Sequence, residues 1–120
     1  MENLLIEGTD ETPQVTLNKK SEIFEIAGRS LPEDAVEFYR PIVDWIKVYM
    51  KDPNPTTPFS FKLDYFNTAS SKILLDLLNL LKDIKGIKIL WYFNEDDEEI
   101  LDAGEEFSEQ VEAPFEFKTY

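Results

Sequence analysis

The stretch FKLDYFNTASSKILLDLL, residues 61–78, changes its hydrophobic period once and thereby decides the fold. Before Asn67 apolar and polar residues alternate, which indicates a β-strand with one wet face. After Lys72 apolar residues cover most sides of a helix and leave only a narrow polar stripe. A strand that leads directly into a largely buried helix is typical of an α/β layer. The apolar face of this strand is predicted to hold Phe59, Phe61, Leu63 and Tyr65.

Elements of the same two kinds surround this stretch. The pattern predicts a helix from Thr68 to Lys85 that Gly86 ends, and it predicts that the strands at 59–65 and 87–91 are parallel neighbours joined by that helix. The other predicted elements are a hairpin at 15–27 that turns at 18–22, an acidic and part-helical segment at 95–107, and a last strand at 114–120.

A second long helix should precede the strand at 59–65. Ser30 and Glu33 have the spacing of a capping box, and Pro32 suits a first helical turn, so the helix should begin just after Ser30. Apolar residues then recur at spacings of three and four until the DPNP loop. Pro41 lacks an amide donor, so we expect a kink or a short break there.

The length of 120 residues favours one domain, residues 1–120. The elements predict an α/β fold: a mixed sheet of about five strands, two main helices and a shorter C-terminal helix. Helices pack on one or both faces of such a sheet.

Charge and composition exclude several functional classes. With 12 basic and 25 acidic residues the net charge is −13, which repels nucleic acid and anionic lipid. The chain has no cysteine and no histidine, so thiol chemistry, imidazole bases and thiolate or imidazole metal sites are absent. No basic leader and no long apolar run is visible, and we expect a cytoplasmic protein without direct membrane insertion, without cofactor or metal, and without enzymatic activity.

The junction between strand and helix carries three hydroxyl residues, and two interpretations of it stay open. In the first, Asn67 or Thr68 caps the helix, while Ser70 and Ser71 are solvated first-turn residues. In the second, Thr68 is phosphorylated, because a helix N-terminus accommodates a phosphate even in an acidic protein. Lys72, one turn further on, would then screen the phosphate.

Two other groups of residues are candidates for contacts. The run at 95–99 is interpreted as a solvated acidic face that attracts a basic partner, since its spacing lacks the glycine turn of a calcium loop. Near the first helix, four residues are candidates for partner contacts, with core packing or surface ion pairing as their alternatives: Arg29, Phe38, Arg40 and Trp45.

Three runs resemble the SiaC-like family of bacterial regulatory phosphoproteins, and the resemblance covers nearly the whole chain. They are GRSLPEDAVEFYRPIVDWI, FKLDYFNTASSKILLDLL and WYFNEDDEEILDAGEEFSE. The family is similar in shape to STAS domains, the anti-sigma-factor antagonists, in which a hydroxyl at a helix start is phosphorylated. Thr68 stands at the matching place. Antagonists carry Asp-Ser followed closely by Gly, whereas here Asn67-Thr68 is followed by Ala69 and Ser70, which favours the SiaC-like branch.

The resemblance implies a STAS-like partner switch. A Ser/Thr kinase of the anti-sigma type would phosphorylate Thr68, and a PP2C-type phosphatase would remove the phosphate. The effector implied by the resemblance is a diguanylate cyclase, an enzyme of cyclic-di-GMP and biofilm signalling. Two alternatives remain: a STAS-like domain that senses a small anion or nucleotide, and an anti-sigma-factor antagonist.

Overall fold

The computed structural model describes residues 1–120 as one six-stranded sheet and three helices. None of the helices is long and apolar enough to cross a bilayer. The elements are β1 (Leu4–Ile6), β2 (Gln14–Asn18), β3 (Ile23–Ser30), α1 (Ala35–Tyr49), β4 (Thr57–Phe66), α2 (Thr68–Leu81), β5 (Ile87–Phe93), α3 (Glu98–Gln110) and β6 (Phe115–Thr119).

The strands lie in the sheet in their chain order. β1, β2 and β3 pair antiparallel, and β3, β4, β5 and β6 pair parallel. The predicted hairpin and the predicted parallel pair on either side of α2 are therefore confirmed. β1 was not predicted, because three residues are too short to show an alternation.

All three helices cover one face of the sheet. Inward-pointing strand residues and the buried faces of the helices form one apolar cluster that includes Trp91, Phe61 and Leu74. The opposite face carries ion pairs between neighbouring strands, Lys62 to Glu25 at 2.8 Å and Lys88 to Glu116 at 2.6 Å. The sheet thus has one packed face and one wet face.

The predicted start of the first helix was wrong. α1 begins at Ala35, and its cap is Asp34, whose carboxylate accepts the amide hydrogen of Glu37 at 3.1 Å. Ser30 ends β3 instead, and its hydroxyl is bonded inside the core. The short break considered at Pro41 is also absent, because Pro41 lies on the exposed side, where water can hydrate the carbonyl that it leaves unpaired.

The alternation along β4 is interrupted near its end, which corrects the prediction for Tyr65. The pairing with β3 shifts between Gly28 and Arg29, so that Asp64 is the extra residue of a bulge. Tyr65 is therefore 46% exposed, while Phe66 packs edge-to-face on Trp91.

α2 ends earlier than the sequence suggested, at Leu81 rather than Lys85. Gly86, with φ of 84°, belongs to the turn before β5. α3 is packed against β5 through Trp91, whose indole N–H donates to the carbonyl of Ile100 at 2.9 Å.

Candidate functional site

Three helix starts lie along one edge of the sheet. β3, β4 and β5 are parallel, so their C-terminal ends point the same way, and each is followed by a helix. Thr68 is the first residue of the middle helix, α2. The free amides and the dipole of each helix start favour a negative group at these positions.

Asn67, and not Thr68, caps α2. The side-chain oxygen of Asn67 accepts the amide hydrogen of Ser70 at 2.9 Å, and its carbonyl accepts that of Ser71 at 2.9 Å. Thr68 and Ala69 are exposed beside this cap. The hydroxyl of Thr68 is therefore free of the capping role and open to an approaching protein.

Ser70 is fully buried, unlike Thr68, so the expectation that Ser70 is a solvated first-turn residue was wrong. Its hydroxyl donates to the carbonyl of Ser30 at 3.0 Å, and the hydroxyl of Ser30 donates to Ser70 at 2.8 Å. The hydroxyl of Ser30 also lies 2.7 Å from the phenol oxygen of Tyr39 on α1. These three side chains form a hydroxyl chain under the start of α2.

Burial raises the pKa of Tyr39 to about 12. Tyr39 therefore stays neutral at physiological pH and keeps its proton for a hydrogen bond. The sequence pattern does not predict these contacts, because it indicates a helix cap at Ser30 and because the three residues are far apart along the sequence.

A groove of about 600 Å³ runs beside Thr68 between α1 and α2. A second groove of about 300 Å³ shares Val36 and Ile73 with it and extends it along α1 past Arg40. Both are lined by apolar and charged residues. The lining of the first is Glu33, Asp34, Ala35, Val36, Thr68, Ala69, Lys72, Ile73 and Asp76.

The first turn of α2 contains no acidic residue. Lys72 is exposed one turn after Thr68, on the same groove. A negative group on the Thr68 hydroxyl would thus meet helix amides and Lys72, although Glu33 and Asp34, before α1, and Asp76, two turns further along α2, also line the groove.

The candidate contact residues near α1 have different surroundings. Arg29 is exposed and lies 5.8 Å from the ring of Tyr65, and Arg40 is exposed and bonded to Glu37 at 3.1 Å. Phe38 is half-buried against Tyr39. Trp45 is in the core, where it stacks on Tyr49 and donates its indole N–H to the carbonyl of Glu2. Core packing therefore accounts for Trp45, whereas Arg29 and Arg40 remain at the surface.

The acidic run lies at the neighbouring helix start. Asp97 caps α3, and with Asp64, Asp96, Glu98 and Glu99 it lines an open cleft of about 620 Å³. No group of three or more acidic side chains in the chain is arranged to hold a metal ion. The cleft is an exposed acidic surface.

Comparison with known proteins finds a family and a relative that match nearly the whole chain. The model of the SiaC family of regulatory phosphoproteins matches residues 6–120. An uncharacterized protein of Pseudomonas aeruginosa strain UCBPP-PA14 is 27% identical over 124 residues, covering 100% of this chain and 98% of the relative.

Solved structures are similar over the whole fold. The crystal structure of apo-SiaC from Pseudomonas aeruginosa has a TM-score of 0.89 at 26% identity, covering 98% of this chain and 99% of that one. SiaC in complex with the diguanylate cyclase SiaD, which it activates, has a TM-score of 0.90 at 26% identity with the same coverage.

Proposed function

We propose that this chain, which belongs to the SiaC family of regulatory phosphoproteins, is a partner-switch protein controlled by phosphorylation of Thr68. In its unphosphorylated state it binds and regulates a diguanylate cyclase. Its role is binding and not catalysis. The complex of the similar SiaC with the cyclase that it activates supports the choice of effector.

The proposed modification is a phosphoryl transfer from a nucleoside triphosphate held by a Ser/Thr kinase of the anti-sigma type. The Thr68 oxygen attacks the γ-phosphorus, the new O–P bond forms, and the bond to the leaving nucleoside diphosphate breaks. The hydroxyl proton passes to a base of the kinase. The exposure of Thr68 at the end of a groove supports this assignment, and the need for nucleoside triphosphate places the switch in the cytoplasm.

The reverse step is a hydrolysis by a PP2C-type phosphatase. Water attacks the phosphorus, the bond from phosphorus to the Thr68 oxygen breaks, and that oxygen takes up a proton while inorganic phosphate is released. Because Thr68 is exposed and the cap belongs to Asn67, neither step requires α2 to unfold.

Phosphorylation should release the cyclase. An interface that packs on the groove meets a neutral hydroxyl in the unmodified protein and about −1.5 to −2 charges after modification. Those charges must be desolvated, in a groove that Glu33, Asp34 and Asp76 also line. An interface matched to the neutral site therefore loses affinity. Because the chain carries −13, its partner should present basic residues, and binding should weaken with added salt.

One observation carries the proposal: the exposed hydroxyl of Thr68 at an uncharged helix start, in a chain of this family. The test is the intact mass of the protein purified from its native cells under denaturing conditions. We expect a species heavier by about 80 Da, the mass of one added phosphate group. Thr68→Ala should lose it, and the matched variant Ser71→Ala should keep it.

Other outcomes of this experiment separate the alternatives. A phosphate that maps to Ser71 would overturn the assignment of Thr68. Protein that carries no phosphate, even after incubation with the kinase and nucleotide, would overturn the covalent switch. Stabilisation of that unmodified protein by inorganic phosphate or a nucleotide would instead support an anion-sensing domain.

A further inference from the structure

Buried hydroxyl groups connect the start of α2 to the end of β3. Apart from the aromatic residues, three polar residues of the chain are fully or almost fully buried: Ser30, Ser70 and Thr57. Two of them lie directly beneath Thr68. A buried hydroxyl needs a partner, and every buried polar side-chain atom here has one.

The direction of the hydroxyl chain follows from counting its protons. Ser70 gives its hydrogen to the carbonyl of Ser30, and Ser30 gives its own to Ser70. The third bond, between Ser30 and Tyr39, can then be donated only by the phenol. The order is Tyr39 to Ser30 to Ser70 to the Ser30 carbonyl, with each hydrogen used once.

The Ser30 carbonyl also binds the residue that precedes Thr68. The Ser30 carbonyl accepts the amide hydrogen of Asn67 at 3.1 Å, as well as the hydroxyl of Ser70. Asn67 in turn caps the amide of Ser70. Thr68 and Ala69 are therefore the exposed middle of a short segment whose two ends are anchored on one residue of β3.

We propose that Ser30, Tyr39 and Ser70 are positioning residues for phosphoryl transfer at Thr68, an inference that rests on the function proposed above. By holding the first turn of α2 in one conformation, they present the Thr68 hydroxyl to the kinase and keep the Ser70 hydroxyl out of reach. Because an acceptor oxygen must lie in line with the phosphorus, a small loss of order at this turn lowers the rate.

The chain offers a matched control at the other end of α1. Tyr49 is also buried, and its phenol oxygen lies 2.6 Å from the hydroxyl of Thr57 and accepts the amide hydrogen of Asn54. Tyr39→Phe and Tyr49→Phe each remove one buried hydroxyl from the same helix. Only the first removes it from the anchor of Thr68.

The experiment compares the steady-state phosphorylation of the full chain by its kinase, with the nucleoside triphosphate saturating. Tyr39→Phe should lower kcat roughly tenfold with little change in KM, because docking surfaces are intact while the acceptor is less well placed. Tyr49→Phe should leave both constants near those of the wild type. Ser70→Ala, which removes both an acceptor and a donor, should lower kcat at least as much as Tyr39→Phe.

A second readout needs no kinase. Amide exchange at Ser70 and Ser71 should speed up in Tyr39→Phe and stay unchanged in Tyr49→Phe. Equal kcat for the two Tyr→Phe variants, with wild type phosphorylated normally, would overturn the positioning role alone. A wild-type protein that accepts no phosphate at Thr68 would overturn the proposed function and this inference together.

Discussion

The starts of α2 and α3 have the same architecture but differ in charge, because only that of α3 is acidic. Each follows a parallel strand, and each is capped by an Asx side chain, Asn67 in one and Asp97 in the other. The first turn of α3 contains Glu98 and Glu99, whereas that of α2 has no acidic residue. In a chain of net charge −13, the first turn of α2 thus carries no charge, whereas carboxylates compensate the helix dipole at the start of α3.

This difference separates a structural helix start from one suited to modification. Carboxylates near a helix N-terminus stabilise it permanently through the helix dipole. A neutral start with an exposed hydroxyl leaves that interaction to a phosphate that can be added and removed. Four perturbations, of decreasing expected effect, distinguish the two helix starts.

The largest effect is expected where α3 packs on β5. A Cβ at Gly104 would overlap the indole ring of Trp91, which is buried and cannot move aside. Gly104→Ala should lower the free energy of unfolding by about 3 kcal/mol, as overpacking in a core does. Urea denaturation measures it. The folded fraction should still be phosphorylated at Thr68 like wild type, and a loss of phosphorylation in folded protein would show that the two helix starts are not independent.

Alkaline pH should weaken the hydrogen bond of Tyr39 under the start of α2 but not that of Trp91 with α3. The folded pKa of Tyr39 is raised to about 12 from 10.0, so its contribution to stability is complete below pH 10 and is lost as the pH rises through 12. The indole that supports α3 does not titrate. Between pH 9 and pH 11 the free energy of unfolding should fall by roughly 1.4 kcal/mol more in wild type than in Tyr39→Phe. The pKa of Tyr120 is also raised to about 12, but both proteins contain it, so its contribution cancels. Identical pH dependence of the two proteins would contradict the assignment.

Removing the caps should affect the two starts alike. Asn67→Ala and Asp97→Ala each leave one amide of a first turn without its acceptor. Each should cost about 1 kcal/mol of stability in urea denaturation. The corresponding change at the phosphosite, Thr68→Ala, should cost less than either. If Thr68→Ala lowered stability as much as Asn67→Ala, Thr68 would itself be a cap of α2.

The smallest effect concerns the charges themselves. Ala69→Glu gives α2 an acidic first turn and should stabilise the unmodified protein by about 0.5 kcal/mol, whereas Glu98→Gln should destabilise it by a similar amount. Both changes should shrink at high salt, because the residues are exposed. No gain from Ala69→Glu in thermal or urea denaturation would mean that the α2 start offers no stabilisation to an anion.

The parts of the fold with a clear period could be predicted from the sequence. The alternation of β4, the leucine-rich face of α2 and the parallel neighbour β5 all followed from residues 59–93. Short sequence patterns that indicate where a helix begins were less reliable. Ser30 and Glu33 match a capping box, but β3 continues through Ser30 because its ladder with β4 and the core hydroxyl bonds satisfy that residue better than a helix cap would.

The site was only partly predictable, for a physical reason. Thr68 could be predicted as a candidate because it lies where the hydrophobic periodicity changes from that of a strand to that of a helix. The support of Thr68 comes from Ser30 and Tyr39, which are remote from it in sequence and meet Ser70 only after β3, α1 and α2 have packed. The bulge at Asp64, which exposes Tyr65, likewise depends on pairing with β3 and leaves no mark in the sequence pattern.

The most direct measurement is a titration of the diguanylate cyclase with three forms of the protein: unmodified, Thr68→Ala, and enzymatically phosphorylated at Thr68. The first two should bind with equal affinity, because alanine removes the hydroxyl without adding charge. The phosphorylated form should bind at least about a hundredfold more weakly, which corresponds to roughly 3 kcal/mol. Equal affinity for all three forms would contradict the switch and leave Thr68 as an ordinary helix-start residue.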